Sequence, residues 1–171
     1  PGSCAMLGTA NTMSALSESL GMSLMGSSTI PAVLAARMAK GVETGEKIVE
    51  LVQKGVTTRD ILTEDAFENA VMHLLTMGGS TNGILHLQAI YHEAGLGELP
   101  LSVFDEFSRR IPQVASIYPA SEFDMVDFYE GGGVPAVLKE IEEYLHKDTR
   151  RYPALQWGRH CHGFLIPITE T

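Results

Sequence analysis

Three stretches of this sequence combine glycine with hydroxyl and amide residues in a way that suits the binding of an anion. They are residues 2–12, 78–82 and 130–133, and each stands directly before a predicted helix. The first turn of a helix presents unpaired backbone N–H groups and a positive dipole end, which attract a carboxylate, a phosphate or an anionic metal cluster. For any single stretch, a turn glycine and a capping hydroxyl are the more common explanation. The candidate anion-binding residues of the second stretch are Ser80, Thr81 and Asn82.

Cys4 is the candidate metal ligand of the first stretch. It precedes a helix predicted to begin near Thr9, and a helix N-terminus favours the thiolate that binds iron. Spacing alone fits a small buried thiol better than a ligand. One cysteine cannot hold a cluster, so a metal site here requires ligands from outside this chain or from another subunit.

The histidines and acids do not form a recognisable ligand set. His73, His86 and His92 lie on two predicted helices without an HExxH pairing, which favours structural or solvent-facing roles. The acids considered as ligands fit first turns and solvated helix faces equally well, and we assign no metal to them. They are Glu18, Asp65, Asp124 and Asp127.

Composition narrows the class of protein. The chain has 171 residues, 44% of them apolar and 19% charged, which is typical of one globular domain. A net charge of −9 argues against nucleic acid or an anionic membrane surface as partner. No apolar run is long enough to cross a bilayer, and two distant cysteines indicate a reducing, cytoplasmic location. The start at Pro1 leads us to expect a longer parent protein.

Apolar spacing and capping signals predict a mostly helical chain. Residues 113–118 are the one convincing strand, so the sequence predicts a predominantly α-helical chain with few strands. These helices would also fit the faces of a parallel sheet completed by other segments, which is the α/β class. The predicted helices cover residues 9–20, 31–55 (opened by Pro31), 63–78 (capped by Thr63), 80–95 (capped by Ser80 or Thr81), 102–112 (capped by Ser102), 124–129 and 134–144.

Several short motifs recur in one order along residues 1–148. They are GSC at 2–4 with GTANTM at 8–13, ESLGMSL at 18–24, AFENA at 66–70, MGGSTN at 77–82, LHL at 85–87 and GGGVPAV at 131–137. In order and spacing they resemble the N-terminal domain of the dihydroxy-acid and phosphogluconate dehydratase family. Agreement among several unrelated motifs makes this resemblance specific.

The resemblance implies an α/β enzyme domain and a hydro-lyase activity. Family members remove water from a 2,3-dihydroxy carboxylic acid to give a 2-keto acid through its enol. They use a [2Fe-2S] or [4Fe-4S] cluster as Lewis acid on the 3-hydroxyl, Mg²⁺ at the substrate carboxylate and a serine alkoxide as base. The third cluster cysteine of the family falls on Cys4. The other metal ligands and the serine fall outside this chain, which therefore carries no catalytic residue of its own.

The substrate and the assembly remain open between members of the family. Met6-Leu7-Gly8 stands where the enzymes of branched-chain amino-acid biosynthesis usually have Gly-Met-Tyr or Gly-Met-Phe, and a glycine before Thr9 is more similar to the sugar-acid (aldonate) dehydratases. The intact enzyme is expected to be a homodimer or homotetramer. The alternative function is a stand-alone, non-catalytic helical domain that binds an anion or a partner.

Residues 149–171 depart from the family and form a separate segment. Thr149 to Gly158 replaces a family sequence like Leu-Thr-Val-Ser-Gly-Lys-Thr, and a shifted reading of codons 151–158 permits Val-Ser-Gly-Thr-Ala-Val-Gly. We therefore hypothesise a frameshift near residue 149, which would make Trp157, His160, Cys161 and His162 accidents of translation. The nucleotide sequence tests this prediction, because one alternative frame should continue as dehydratase.

Overall fold

A computed structural model describes residues 4–147 of the chain. Within this range the chain forms eight helices and no β-sheet, which confirms the predominantly helical prediction. No helix in the range is both long and apolar enough to cross a membrane. The helices are α1 (Thr9–Ser19), α2 (Ala35–Gln53), α3 (Thr58–Ile61), α4 (Glu64–Thr76), α5 (Asn82–Glu93), α6 (Leu101–Arg110), α7 (Met125–Glu130) and α8 (Gly133–Glu140).

Helix α4 is the centre of the hydrophobic core. The Thr63 hydroxyl accepts the Ala66 N–H at 3.3 Å and thereby caps its first turn, as the sequence predicted. Phe67 and Val71 are fully buried on α4, and the helix packs against α1, α5, α6 and α8. The core therefore fixes the starting points of α1 and α5 relative to each other.

Two predicted helix starts are wrong. Helix α2 begins at Ala35, because Pro31–Leu34 forms a turn in which the Leu34 N–H donates to the Pro31 carbonyl at 3.1 Å. Helix α6 begins at Leu101, with Pro100 in the extended cap position, so Ser102 lies inside the helix. The short helix α3 was not predicted at all.

The predicted strand at residues 113–118 is also wrong. The N–H groups of Val114 and Ala115 both donate to the Thr76 carbonyl, at 2.9 and 3.3 Å. The Thr76 hydroxyl donates to the Pro112 carbonyl at 2.6 Å. This segment therefore satisfies its backbone at the C-terminal end of α4, and no neighbouring strand pairs with it within residues 4–147.

Glu18 lies inside the fold, although its sequence position suggested a solvated face. Its side chain is fully buried, and its carboxylate oxygens accept the N–H groups of Gly26 at 2.7 Å and Ser28 at 2.5 Å. Burial is the main cause that raises the pKa of Glu18, and the hydrogen bonds to Ser28 and Gly26 oppose it. Glu18 therefore fastens the loop between α1 and α2 to the core.

Replacing Glu18 by alanine should destabilise the chain by about 2 kcal/mol, because two backbone N–H groups lose their acceptor. Chemical denaturation followed by circular dichroism at pH 7 would measure the change. The matched control is Glu106→Ala on α6, an exposed acid paired with Arg110, for which we expect a change below about 0.5 kcal/mol. Equal stability of the Glu18 variant and its parent would contradict the anchoring role.

Candidate functional site

The loop that carries Cys4 is held in place by the first helix. The Asn11 side-chain amide donates to the carbonyls of Cys4 at 2.9 Å and Met6 at 2.7 Å. Asn11 lies in the first turns of α1, so this one side chain joins the loop to the helix that follows it. Cys4 itself is a free, exposed cysteine. Its sulfur is therefore accessible while its backbone is restrained.

Two further backbone hydrogen bonds fasten the same loop to the C-terminal half of the described chain. The Leu7 N–H donates to the Tyr118 carbonyl at 2.8 Å, and the Met125 N–H donates to the Ala5 carbonyl at 2.9 Å. Leu7 is buried and anchors the loop in the core. The position of Cys4 consequently depends on residues more than a hundred positions away.

The structure brings the first two predicted anion-binding stretches together. The Asn82 side-chain amide donates to the Thr9 hydroxyl at 2.7 Å, and the hydroxyls of Ser80 and Thr9 are 3.3 Å apart. The Ser80 N–H donates to the hydroxyl of the buried Thr12 at 3.0 Å. The N-termini of α1 and α5 therefore meet, and the positive ends of their helix dipoles add to one positive potential.

The three predicted anion-binding residues differ in their surroundings. Ser80 is half-buried at the junction, and its hydroxyl accepts the Asn82 N–H at 3.3 Å. Thr81 is exposed and immediately precedes α5, but its side chain does not cap the helix. Asn82 is exposed and contacts Thr9. Sequence reasoning did not identify Thr9 and Thr12 as the supports of Ser80 and Asn82, although the spacing within TANT was a usable signal.

Two glycines permit the close approach of these helices. A Cβ atom on Gly79 would lie 2.7 Å from Leu74 Cδ1 and 3.0 Å from Thr12 Cγ2, and one on Gly83 would lie 2.8 Å from the same leucine atom. Such distances are too short for real carbon atoms. A side chain at either position would therefore have to displace the end of Leu74, while the neighbouring polar side chains line the junction.

The third predicted stretch, residues 130–133, lies elsewhere. Gly133 has a φ of +58° and begins α8, and a Cβ atom on it would lie 2.5 Å from the Thr29 hydroxyl. The stretch thus packs on the loop that Glu18 fastens. Its glycines serve a left-handed turn and a close contact, and they do not border the α1–α5 junction.

Metal ligands do not gather anywhere within residues 4–147: no three of His, Cys, Asp and Glu are placed to hold an ion there. Asp124 and Asp127 form the capping box of α7, in which Asp124 accepts the Val126 N–H at 2.7 Å. His86 and His92 are exposed on α5. Cys4 accordingly offers a single accessible sulfur, and no further ligands gather beside it among the described residues.

Replacing Thr12 by valine tests the support of the junction. Valine keeps the shape of threonine but removes the acceptor of the Ser80 N–H, so we expect a loss of about 1–2 kcal/mol in unfolding free energy. Thr44→Val provides the control, because Thr44 is exposed on α2 and its hydroxyl donates to its own helix. Urea unfolding would separate the two, and identical midpoints would refute the supporting role of Thr12.

Comparison with known proteins places these features in one family. The model of the dihydroxy-acid/6-phosphogluconate dehydratase N-terminal domain matches residues 1–157. The dihydroxy-acid dehydratase of Ignicoccus hospitalis is 51% identical over 150 residues, which are 86% of this chain and 27% of that protein. The dihydroxy-acid dehydratases of Metallosphaera sedula (47% over 169 residues; 98% and 30%) and Methanococcoides burtonii (45% over 170 residues; 99% and 31%) are also similar.

The chain spans between a quarter and a third of the length of these curated relatives. The hypothesised frameshift near residue 149 lies outside the described residues, as do the residues that it would affect, Trp157, His160, Cys161 and His162. It stays a prediction, as does the division into segments 1–148 and 149–171.

Proposed function

This chain belongs to the dihydroxy-acid/6-phosphogluconate dehydratase family, and we propose that it supplies one cysteine ligand of an iron–sulfur cluster in a hydro-lyase. The observation that carries the proposal is the position of Cys4, an exposed thiol on a restrained loop before α1. A thiolate is the protein ligand that iron–sulfur clusters use. The cytoplasm, which keeps such thiols reduced, is the compartment that we propose for it.

The overall reaction would be the loss of water from a 2,3-dihydroxy acid. A proton leaves C2, the 3-hydroxyl leaves, and the resulting enol becomes a 2-keto acid. When bound, the [2Fe-2S] or [4Fe-4S] cluster supplies Lewis-acid assistance to the departing hydroxyl. Cys4 would hold the cluster and Asn11 would hold the Cys4 loop. We assign neither Mg²⁺ nor the base that takes the C2 proton to a residue of this chain.

The α1–α5 junction would attract the negatively charged end of the substrate. Two helix N-termini meet there, and anions are stabilised at such positions. Thr81 is exposed and its hydroxyl does not cap α5, so it can donate to a carboxylate oxygen. Ser80 and Asn82 would position Thr81 through their bonds to α1.

The length of the substrate is related to the space beside the Cys4 loop. A Cβ atom on Gly8 would meet only the Met6 side chain, at an ordinary distance of 3.7 Å. A glycine there leaves room that a tyrosine would fill, which favours a longer sugar acid over a short branched dihydroxy acid. The relatives are dihydroxy-acid dehydratases, which favours the dihydroxy acid, so both substrate classes belong in the test.

A chimera tests the proposal. Residues 1–147 would replace the matching segment of the Ignicoccus hospitalis enzyme, and iron content and dehydration would be measured. We expect a brown protein that dehydrates 2,3-dihydroxyisovalerate, one or more aldonates, or both. The alternative function is that of a non-catalytic anion-binding domain. In that case the chimera should fold without iron or activity, and the 171-residue chain alone should bind an anion.

A further inference from the structure

The Cys4 loop has a defined conformation although the side chains at its start are not packed. Cys4, Ala5 and Met6 are all exposed, and Leu7 is the first of the described residues whose side chain enters the core. Ordering a backbone costs conformational entropy, and side chains that remain in water do not offset that cost. The loop therefore owes its conformation to the hydrogen bonds of its backbone.

Hydrogen bonds reach each backbone carbonyl from Cys4 to Met6. The Asn11 side-chain nitrogen donates to the carbonyls of Cys4 at 2.9 Å and Met6 at 2.7 Å. The Ala5 carbonyl between them accepts the Met125 N–H at 2.9 Å. An amide nitrogen carries two hydrogens, so the single side chain of Asn11 serves two of the three carbonyls.

The place of Asn11 on α1 suits this clamping role. Asn11 is the third residue of the helix, and α1 packs against α4, α5 and α8. The donor of the two hydrogen bonds is thus carried by a helix that the core holds in place. Asparagine favours helices less than alanine does, so the helix itself does not gain stability from it. The hydrogen bonds to the loop explain its presence.

The start of α7 provides the second hold on the loop. Met125 is the first residue of this helix, and the Asp124 carboxylate caps it by accepting the N–H groups of Val126 at 2.7 Å and Asp127 at 3.2 Å. The cap fixes the first turn, from which the Met125 N–H donates to the loop. This hold comes from the backbone, so Asn11 is the side chain whose replacement loosens the loop directly.

We propose that Asn11 is a positioning residue for the iron–sulfur cluster, because its clamp on the loop orders the Cys4 thiolate before a cluster binds. This inference rests on the proposed function of Cys4. A ligand that is ordered in advance loses less freedom on binding, so the cluster is held more tightly. Groups that orient metal ligands from outside typically contribute about 10–100-fold to metal affinity.

Asn11→Asp tests the clamp in the 171-residue chain. Aspartate keeps the shape of asparagine but removes both donors, and its charge suits the positive end of the α1 dipole, so the helix should remain intact. We expect the NMR order parameters of residues 4–7 to fall from about 0.85 to below about 0.6, with an unchanged far-ultraviolet circular dichroism spectrum. The matched control is Ala10→Asp, which adds the same charge at an exposed neighbouring position and should leave the loop ordered.

The chimeric dehydratase gives the second readout, which is the loss of iron to a chelator. We expect loss to be about 10–100-fold faster with Asn11→Asp than with Ala10→Asp, and the visible circular dichroism of the bound cluster to change. A loop that stays ordered, or equal rates of iron loss in the two variants, would overturn the positioning role alone. A chimera that holds no iron even with Asn11 in place would overturn the proposed function, and the positioning role with it.

Discussion

Replacing Cys4 by serine in the chimeric dehydratase should remove most of its iron and lower its turnover by roughly 1,000-fold or more. Serine keeps the size of the side chain but is a poor ligand for a cluster that thiolates hold. Losing Lewis-acid assistance removes several kcal/mol of transition-state stabilisation, and each 1.36 kcal/mol is about tenfold in rate. Iron content, visible absorption and turnover would be measured on the same preparation.

Ala5→Ser is the matched control for this experiment. Ala5 is exposed and adjacent to Cys4, and only its backbone carbonyl is used, as acceptor of the Met125 N–H. The control therefore adds the same hydroxyl one position along and should keep the iron and the activity. A Cys4→Ser chimera with full iron content would show that the ligand lies elsewhere.

The sequence predicted those helices whose apolar residues face the core and whose ends carry strong signals. Helix α4 has a capping Thr63, acids in its first turn and Gly78 at a φ of +65° after its end, and each of these acts locally. The start of α2 depends instead on a turn at Pro31 that competes with the helix. Residues 113–118 look like a strand because Val114, Ile117 and Tyr118 favour extended backbone, and these residue types do not reveal what that backbone will bond to.

The candidate site was predictable in its parts and unpredictable in its assembly. Short motifs identified Cys4 and the polar stretch around Ser80. The contacts of Thr9 and Thr12 with that stretch join residues about seventy positions apart, and no local pattern encodes them. Glu18 shows the same limit, because its partners are backbone N–H groups, which every residue except proline carries.

His73 is a buried base in the middle of α4 with an expected effect on acid stability. It is fully buried, and neither of its ring nitrogens has a hydrogen-bond partner. Burial lowers its pKa from 6.5 to about 3. The folded chain thus keeps His73 neutral at acidic pH values at which the unfolded chain binds a proton. Stability contributed by this residue is complete above pH 6.5 and is lost as the pH falls towards 3.

Replacing His73 by leucine should therefore flatten the pH dependence and stabilise the fold. Leucine fills a similar volume without two unpartnered nitrogens, so we expect a gain of roughly 1–2 kcal/mol at pH 7. Between pH 6 and 4 the advantage over the parent should grow by about 1 kcal/mol per pH unit, close to the limit of 1.36 for one proton. The raised pKa of Glu18 changes stability with pH in the opposite direction. Glu18 is present in both proteins, so its effect drops out of the difference between variant and parent.

His86→Leu completes this experiment as its control. His86 is exposed on α5, so its replacement removes a histidine of the same helical chain that is not part of the core. Urea unfolding of both variants and the parent at several pH values would give the three slopes. Parallel curves for the His73 variant and the parent would mean that the folded chain protonates His73 as readily as the unfolded one. In that case the acid sensitivity of the core would have to come from the carboxylates instead.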